Sequence, residues 1–382
     1  MTGSLVRPFL LMRPFLLVFP FLLVFPFLLV FPFLLVFPFL SRFACVVGAL
    51  MRTPMPMEMR TKTRMRGVML ALMLMPMLAP SALAAWPHKP IRFIIPSPAG
   101  SSPDVIMRVL MNQMSAQLGQ PIVIDNKPGA SYFIGTSEIV RAAPDGYTLG
   151  YGNIVSLAIN QSLYSKRPYD ADRDLTLIAN AVSVYNLLVV NPELPVRTLP
   201  ELIDYLKRHP GKLTMASAGN GTTGHLGGEL FKAMTGTFML HVPYRGSPQA
   251  VNDLIGGQAQ VMFDNSSSIT PHIQSGRVRA LASSGPKRLP SFPDVPTVSE
   301  IVPGYETVAW GGLIGPAGLP PAIVERLEQE MREALTAPAV AEALAKIQVV
   351  IDPLGPEAFR DLVRRERPKW AEVIQRSGAK VD

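Results

Sequence analysis

From residue 91 onward the apolar positions alternate between two spacings. Ile91–Ile95 is a short apolar run, the mark of a strand buried on both faces. After a loop at 96–103, Ile106, Leu110, Met114 and Leu118 recur every fourth residue with Val109 beside them. That spacing predicts a helix over 104–118. Ser102 suits its N-cap, Pro103 its first turn and Gly119 its stop. The same grammar then repeats. Strands are expected at 122–125, 147–151, 187–190, 213–216, 238–242, 261–263 and 278–282, and helices near 135–143, 199–208, 223–234, 248–255 and 269–274. Residues 286–303 are proline-rich and read as an irregular linker. A short strand at 313–314 precedes three helices, 321–335, 340–345 and 356–377.

Strand–helix alternation predicts an α/β fold with mostly parallel sheets covered on both faces. A body of about 300 residues exceeds what one such core usually holds. The expected solution is two doubly wound α/β lobes with a ligand cleft between them. The first lobe takes 85–187 plus 308–382 and the second 188–307, with two crossings as a hinge. Ligands in such sheets lie beyond the carboxyl ends of the strands.

Charge changes the picture of the chain's start. The 382 residues carry a formal net charge of +8. Residues 1–84 hold eight Lys/Arg and one acid, Glu58, whereas the rest holds 28 Lys/Arg and 27 Asp/Glu. The body is therefore near neutral, and nothing in it calls for nucleic acid. The only cysteine, Cys45, is in the leader, so the body offers no disulfide, thiolate metal site or cysteine nucleophile. Phe15–Pro38 is four copies of Phe-Leu-Leu-Val-Phe-Pro, whose prolines argue against a membrane-spanning helix. Within 59–84, the basic residues Arg60, Lys62, Arg64 and Arg66, the apolar run Val68–Leu78 and Ala82-Leu83-Ala84 form a cleavable export signal. The mature chain is expected to begin near Ala85 in the periplasm.

The candidate chemistry centres on two loops. Gly219-Asn220-Gly221-Thr222-Thr223-Gly224 is a G-x-G-x-x-G between a strand and a helix. A dinucleotide site would place an acid about 20 residues on. His241–Arg245 supplies none, although Arg245 suits a 2′-phosphate, so an NADP-linked reductase remains a third alternative. A plain structural turn is a second reading. The first is anion binding, because a helix N-terminus offers unpaired N–H groups and partial positive charge. Ser217 precedes this loop, and Thr222 and Thr223 add hydroxyls. Gly100, Ser101 and Ser102 before the first helix repeat the chemistry, so two loops facing one cleft would grip a carboxylate without Arg or Lys. No catalytic serine elbow, zinc-protease or P-loop motif occurs, and the five histidines show no metal-ligand spacing. His225 is a packing or hydrogen-bonding residue, or a base. Asp264 contacts a ligand or caps the next helix. Tyr132 and Phe133 line the pocket or pack their loop. Asn153, just past the strand 147–151, joins the candidate set. No enzyme activity, cofactor or metal is expected.

Seven stretches then occur in order: Trp86–Arg92, Pro128-Gly129-Ala130, Ala143–Leu149, His241–Gly246, Phe263-Asp264-Asn265, Pro293–Val298 and Pro303-Gly304-Tyr305-Glu306. Over about 86–380 the chain resembles the Bug family, the extracytoplasmic solute-binding receptors of tripartite tricarboxylate transporters. The resemblance implies a type II-like periplasmic binding protein, a Venus flytrap that closes on a small organic carboxylate and presents it to membrane permease subunits. It implies a monomer. It also implies that backbone amides and waters from Ser97–Asp104 and Ser217–Thr223 hold the carboxylate, Ala99 and Asp104 included. Ser97, Ala99, Ser101 and Pro103 depart from the family loop. Tyr132 and Phe133 replace small or polar residues in a second one, which points to an aromatic or bulky carboxylate. An exported sensor that presents its bound state to a signalling partner is the alternative function.

Overall fold

A computed structural model describes residues 86–379. The repeat, the export signal and the cleavage site lie outside the described residues. The elements in chain order are β1 (Ile91–Ile95), α1 (Ser102–Leu118), β2 (Ile122–Asn126), α2 (Phe133–Val140) and β3 (Thr148–Asn153). A wide helical turn at Val155–Ile159 runs into α3 (Asn160–Leu163), followed by α4 (Ala171–Asp174) and the long strand β4 (Leu175–Val190). Next come α5 (Leu199–Arg208), β5 (Thr214–Ser217), α6 (Thr223–Thr235), β6 (Leu240–Pro243), α7 (Ser247–Ile255), β7 (Val261–Asn265), α8 (Ser266–Gln274) and β8 (Arg279–Ser283). The chain ends with β9 (Val308–Pro316), α9 (Pro321–Thr336), α10 (Pro338–Lys346), β10 (Val349–Leu354) and α11 (Pro356–Ser377). Among the described residues no helix is long and apolar enough to cross a membrane.

The strands run in the order β2-β1-β3-β9-β4-β7-β5-β6, with β8 and β10 also joined to β4. Pairing is parallel for β1 with β2 and β3, and for β5 with β6 and β7. Every pairing of β4 and β9 is antiparallel. The expectation of mostly parallel sheets is thus corrected to mixed sheets, because β4 and β9 run against their neighbours through the middle. The fold is two-lobed α/β. Leu175–Tyr185 of β4 pairs with β9, and Asn186–Val190 pairs with β7, so one strand serves both sheets.

One large apolar cluster runs through both sheets, and a smaller one packs on the second sheet alone. Beside the first sheet, Phe93, Ile94 and Ile95 of β1 are buried with Ile106, Leu110 and Met114 of α1, the stripe expected from the fourfold spacing. Beside the second, Leu187 and Val189 of β4 pack with Ala216, Val251, Leu254, Met262 and Ile269. Helix starts follow local chemistry. Thr198 accepts from the Glu201 amide at 3.3 Å, and Thr222 accepts from the His225 amide at 3.3 Å. For α1 the cap is Ser101 rather than Ser102, and its side chain makes no capping bond. The proline-rich stretch is not wholly irregular, since Thr297 and Glu300 close a reciprocal capping box around one turn.

Candidate functional site

A cleft of about 650 Å³ opens where the ends of both sheets meet. Its walls bring together ten of the sequence candidates: Ser97, Ser101, Ser102, Tyr132, Asn153, Gly219, Asn220, Thr222, Thr223 and Asp264. Seven do not line it: Ala99, Gly100, Asp104, Phe133, Ser217, Gly221 and His225.

Ala99 is exposed, and the bonds and packing of the other six show how they support the walls. The Gly100 amide donates to Asp104 Oδ2 at 2.9 Å, and Asp104 also takes Arg108 and the Asn126 amide group, which holds its carboxyl below the usual carboxylate range against the cost of burial. Asp104 is therefore the bolt of the first loop. Phe133 stands edge-on to Tyr164 and Tyr169, which is the packing alternative. Ser217 Oγ and His241 Nε2 share a bond of 2.7 Å, and the Gly221 amide donates to His225 Nδ1 at 3.1 Å. The two imidazoles stack with centroids 4.1 Å apart. Burial pushes His225 down to about 3 and His241 to about 4, so both are neutral at pH 7. The fold also brings Glu229 near this pair, with ligand-type atoms of the three within 4.8 Å, a grouping that sequence spacing did not show. Glu229 already pairs with Lys232 at 2.7 Å.

The glycine loop has a local reason for each glycine. Gly219 and Gly221 sit at φ of 135° and 75°, where a side chain is strained. Gly224 lets α6 touch the sheet, since a Cβ there would lie 2.2 Å from the Phe263 carbonyl oxygen. A Cβ on Gly221 would meet Leu163 at 2.8 Å, not the cavity. A bulky residue at 221 is therefore expected to wedge this loop away from α3. Among the described residues, no acceptor meets the amides of Thr223 and Gly224 at the start of α6. Ser102 at the start of α1 lines the same cleft, so both helix N-termini aim donors into it.

The cleft also carries residues that sequence reasoning missed. Asn186 of β4, Ser247 of α7, Asn265 of β7 and Trp310 of β9 line the cavity. Asn186 Oδ1, Asn265 Oδ1 and Trp310 Nε1 are buried with no partner among the described residues. Asp264 does not cap α8, whose cap is Asn265. It lies at the end of β7, accepting from Ser247 Oγ at 2.5 Å and Ser268 Oγ at 2.7 Å. Burial outweighs these bonds and raises its carboxyl to about 6. Among the described residues the one lining cation is Arg245, which is exposed.

Bonds also cross the cleft. Ser267 Oγ donates to Ser102 Oγ at 2.5 Å, and Ser131 Oγ donates to the Asn220 carbonyl at 3.0 Å. Behind the crossing strands, Ser284 Oγ donates to the Thr307 carbonyl and accepts from the Asn186 amide.

Two α/β lobes around a donor-lined cleft define a solute-binding protein. The family model for the tripartite tricarboxylate transporter family receptor matches residues 106–379. The chain belongs to that family, the Bug receptors. It is 36% identical over 305 residues to Protein BugT of Bordetella pertussis, covering 79% of this chain and 94% of that one. Among solved structures it is similar to R. palustris Rpa4515 with adipate, at 33% identity and a TM-score of 0.76, covering 78% of this chain and 100% of the other. It is likewise similar to the periplasmic binding protein BugD, at 32% identity and a TM-score of 0.74, covering 77% and 99%.

Proposed function

We propose that this chain is an exported periplasmic receptor that captures a small organic carboxylate between its lobes and hands it to the membrane subunits of a tripartite tricarboxylate transporter. The observation that carries this is the pair of helix N-termini, α1 and α6, opening on one cleft with amide donors to spare and, among the described residues, the exposed Arg245 as its one lining cation. Oriented N–H groups and helix dipoles favour an anion there without the desolvation cost of burying a cationic side chain. Similarity to a receptor with adipate bound supports the ligand class. The hinge in this reading is the double crossing at residues 185–188 and 307–308, and the bonds from Ser102 and Ser131 across the cleft belong to the closed form.

The test is thermal unfolding of the mature chain with mono-, di- and aromatic carboxylates, neutral sugars and organic cations. A carboxylate at about 100 times its dissociation constant should stabilise the protein by roughly 2.7 kcal/mol. Stabilisation by sugars or cations, with every carboxylate silent, contradicts the proposal.

A further inference from the structure

Among the described residues only two charged side chains line the cleft, Arg245 and Asp264. Arg245 is exposed to water, whereas Asp264 is 4% exposed. The acid is placed by two helix starts. Ser247 Oγ of α7 and Ser268 Oγ of α8 both donate to its Oδ2. Ser267, next to Ser268, donates to Ser102 Oγ at the start of α1. Pro248, next to Ser247, is the neighbour that a Cβ on Gly100 would meet, at 3.8 Å. Asp264 therefore stands close to the first of the two loops that offer amides to a carboxylate, and in the same cavity.

Among the described residues no cation bonds Asp264. On β4 the residue opposite it is Leu187, and β5 brings Ala216 beside Met262. On α6, Lys232 pairs with Glu229, and His225 faces Gly221 and His241. On α7, Asp253 is taken by the Tyr244 hydroxyl, and on α8 burial holds His272 below its ordinary value. The Tyr132 phenol is pushed up to about 12, by burial first and then by the charge of Asp264, so it stays neutral. Two hydroxyls do not offset the cost of a buried carboxylate, and Asp264 is raised to about 6. A carboxylate captured in this cavity adds a like charge, which disfavours the ionised acid further. The neutral acid is then the lower-energy form, reached by taking one proton from solvent.

We propose that the receptor captures its carboxylate together with a proton, and that Asp264 is the residue that takes the proton up. The proposal rests on the carboxylate-receptor reading above. It is tested by calorimetric titration of the mature chain with acetate, malate, adipate and benzoate. The titrations run at pH 7 in HEPES and in Tris, whose ionisation enthalpies differ, and again at pH 6 and pH 8. A rise of about one pH unit in the Asp264 titration on binding gives an uptake of about 0.4 proton per ligand at pH 7, and an affinity that falls about fivefold from pH 6 to pH 8. Affinity is lost as the pH rises, because only above about pH 6 must the free receptor gain the proton. Asp264→Asn is expected to take up no proton, to keep its affinity level over that range, and to bind more tightly than wild type at pH 8. Ser247→Ala removes a donor that favours the carboxylate, so its loss of affinity should begin at higher pH. An equal apparent enthalpy in both buffers, or uptake that persists in Asp264→Asn, overturns this proposal and leaves the carboxylate receptor standing. Failure of all four carboxylates to bind overturns both.

Discussion

Gly312→Ala should destabilise the protein by about 3 kcal/mol or more, although it adds one methyl group. Gly312 lies in β9, paired with Gly152 of β3 on one side and Asn180 of β4 on the other. A Cβ built there would stand 2.0 Å from the Ala179 carbonyl oxygen and 2.8 Å from Asn180 Cα. Both are backbone atoms, so no side-chain rotation relieves the clash. The register between β4 and β9 shifts at Leu177/Ala179 and again at Asn180/Val182, which brings β4 over Gly312. For a body of this size the melting temperature should fall by about 5 °C. Gly276→Ala is the control. Gly276 has φ of 69° and nothing within 4 Å of its Cβ, so that variant carries only the strain of a left-handed alanine. Equal melting losses in the two variants would mean that β4 and β9 do not pack this closely.

Asp264→Asn should raise stability at pH 8 by about 3 kcal/mol, at roughly 1.4 kcal/mol per unit of pKa displacement. The folded carboxyl titrates at about 6, above its ordinary value near 3.8, because burial disfavours the charged form. Its contribution to stability is therefore fully present below about pH 4 and is lost as the pH rises through 6. Asparagine keeps an oxygen for the Ser247 and Ser268 hydroxyls and never ionises. The variant should melt about 5 °C higher at pH 8 and match wild type at pH 4. His225 and His241 work in the opposite direction. Held below their ordinary value, they lose stability as the pH falls from 6.5 towards 4, so only the difference between variant and wild type isolates Asp264. A variant less stable than wild type at pH 8 would mean that the carboxylate is compensated by more than two hydroxyls and a backbone amide.

Much of this architecture was legible because its signals are local. The fourfold stripe of α1, the Thr198 cap and α11 over Pro356–Ser377 depend on neighbours a few residues apart. What was lost depends on distant partners. Only Leu187–Val190 of β4 reads as a strand, because Asn180 and Ser183 interrupt the apolar run before it. The donors of both are met across the sheet by Asp352 of β10, which takes Asn180 Nδ2 on its carbonyl and Ser183 Oγ on its carboxylate, each at 2.8 Å. β10 itself is hidden by Pro353, tolerable where its pairing with β4 shifts register. The donor half of the cleft was readable from glycines and hydroxyls before two helices. The contribution of Asn186 and Trp310 was not, since both sit on the crossing strands, and only the fold brings them into the same cleft.

The central claim, that backbone amides of α1 and α6 grip the ligand carboxylate, has one direct measurement. Amide resonances of the mature chain, recorded by 15N–1H correlation during titration with a carboxylate that raises the melting temperature, report each N–H separately. The amides of Ser102, Thr223 and Gly224 should move downfield together and saturate with the same dissociation constant, as charge-assisted donors do. Saturating binding that leaves those three unmoved, while resonances remote from the cleft shift, would contradict it.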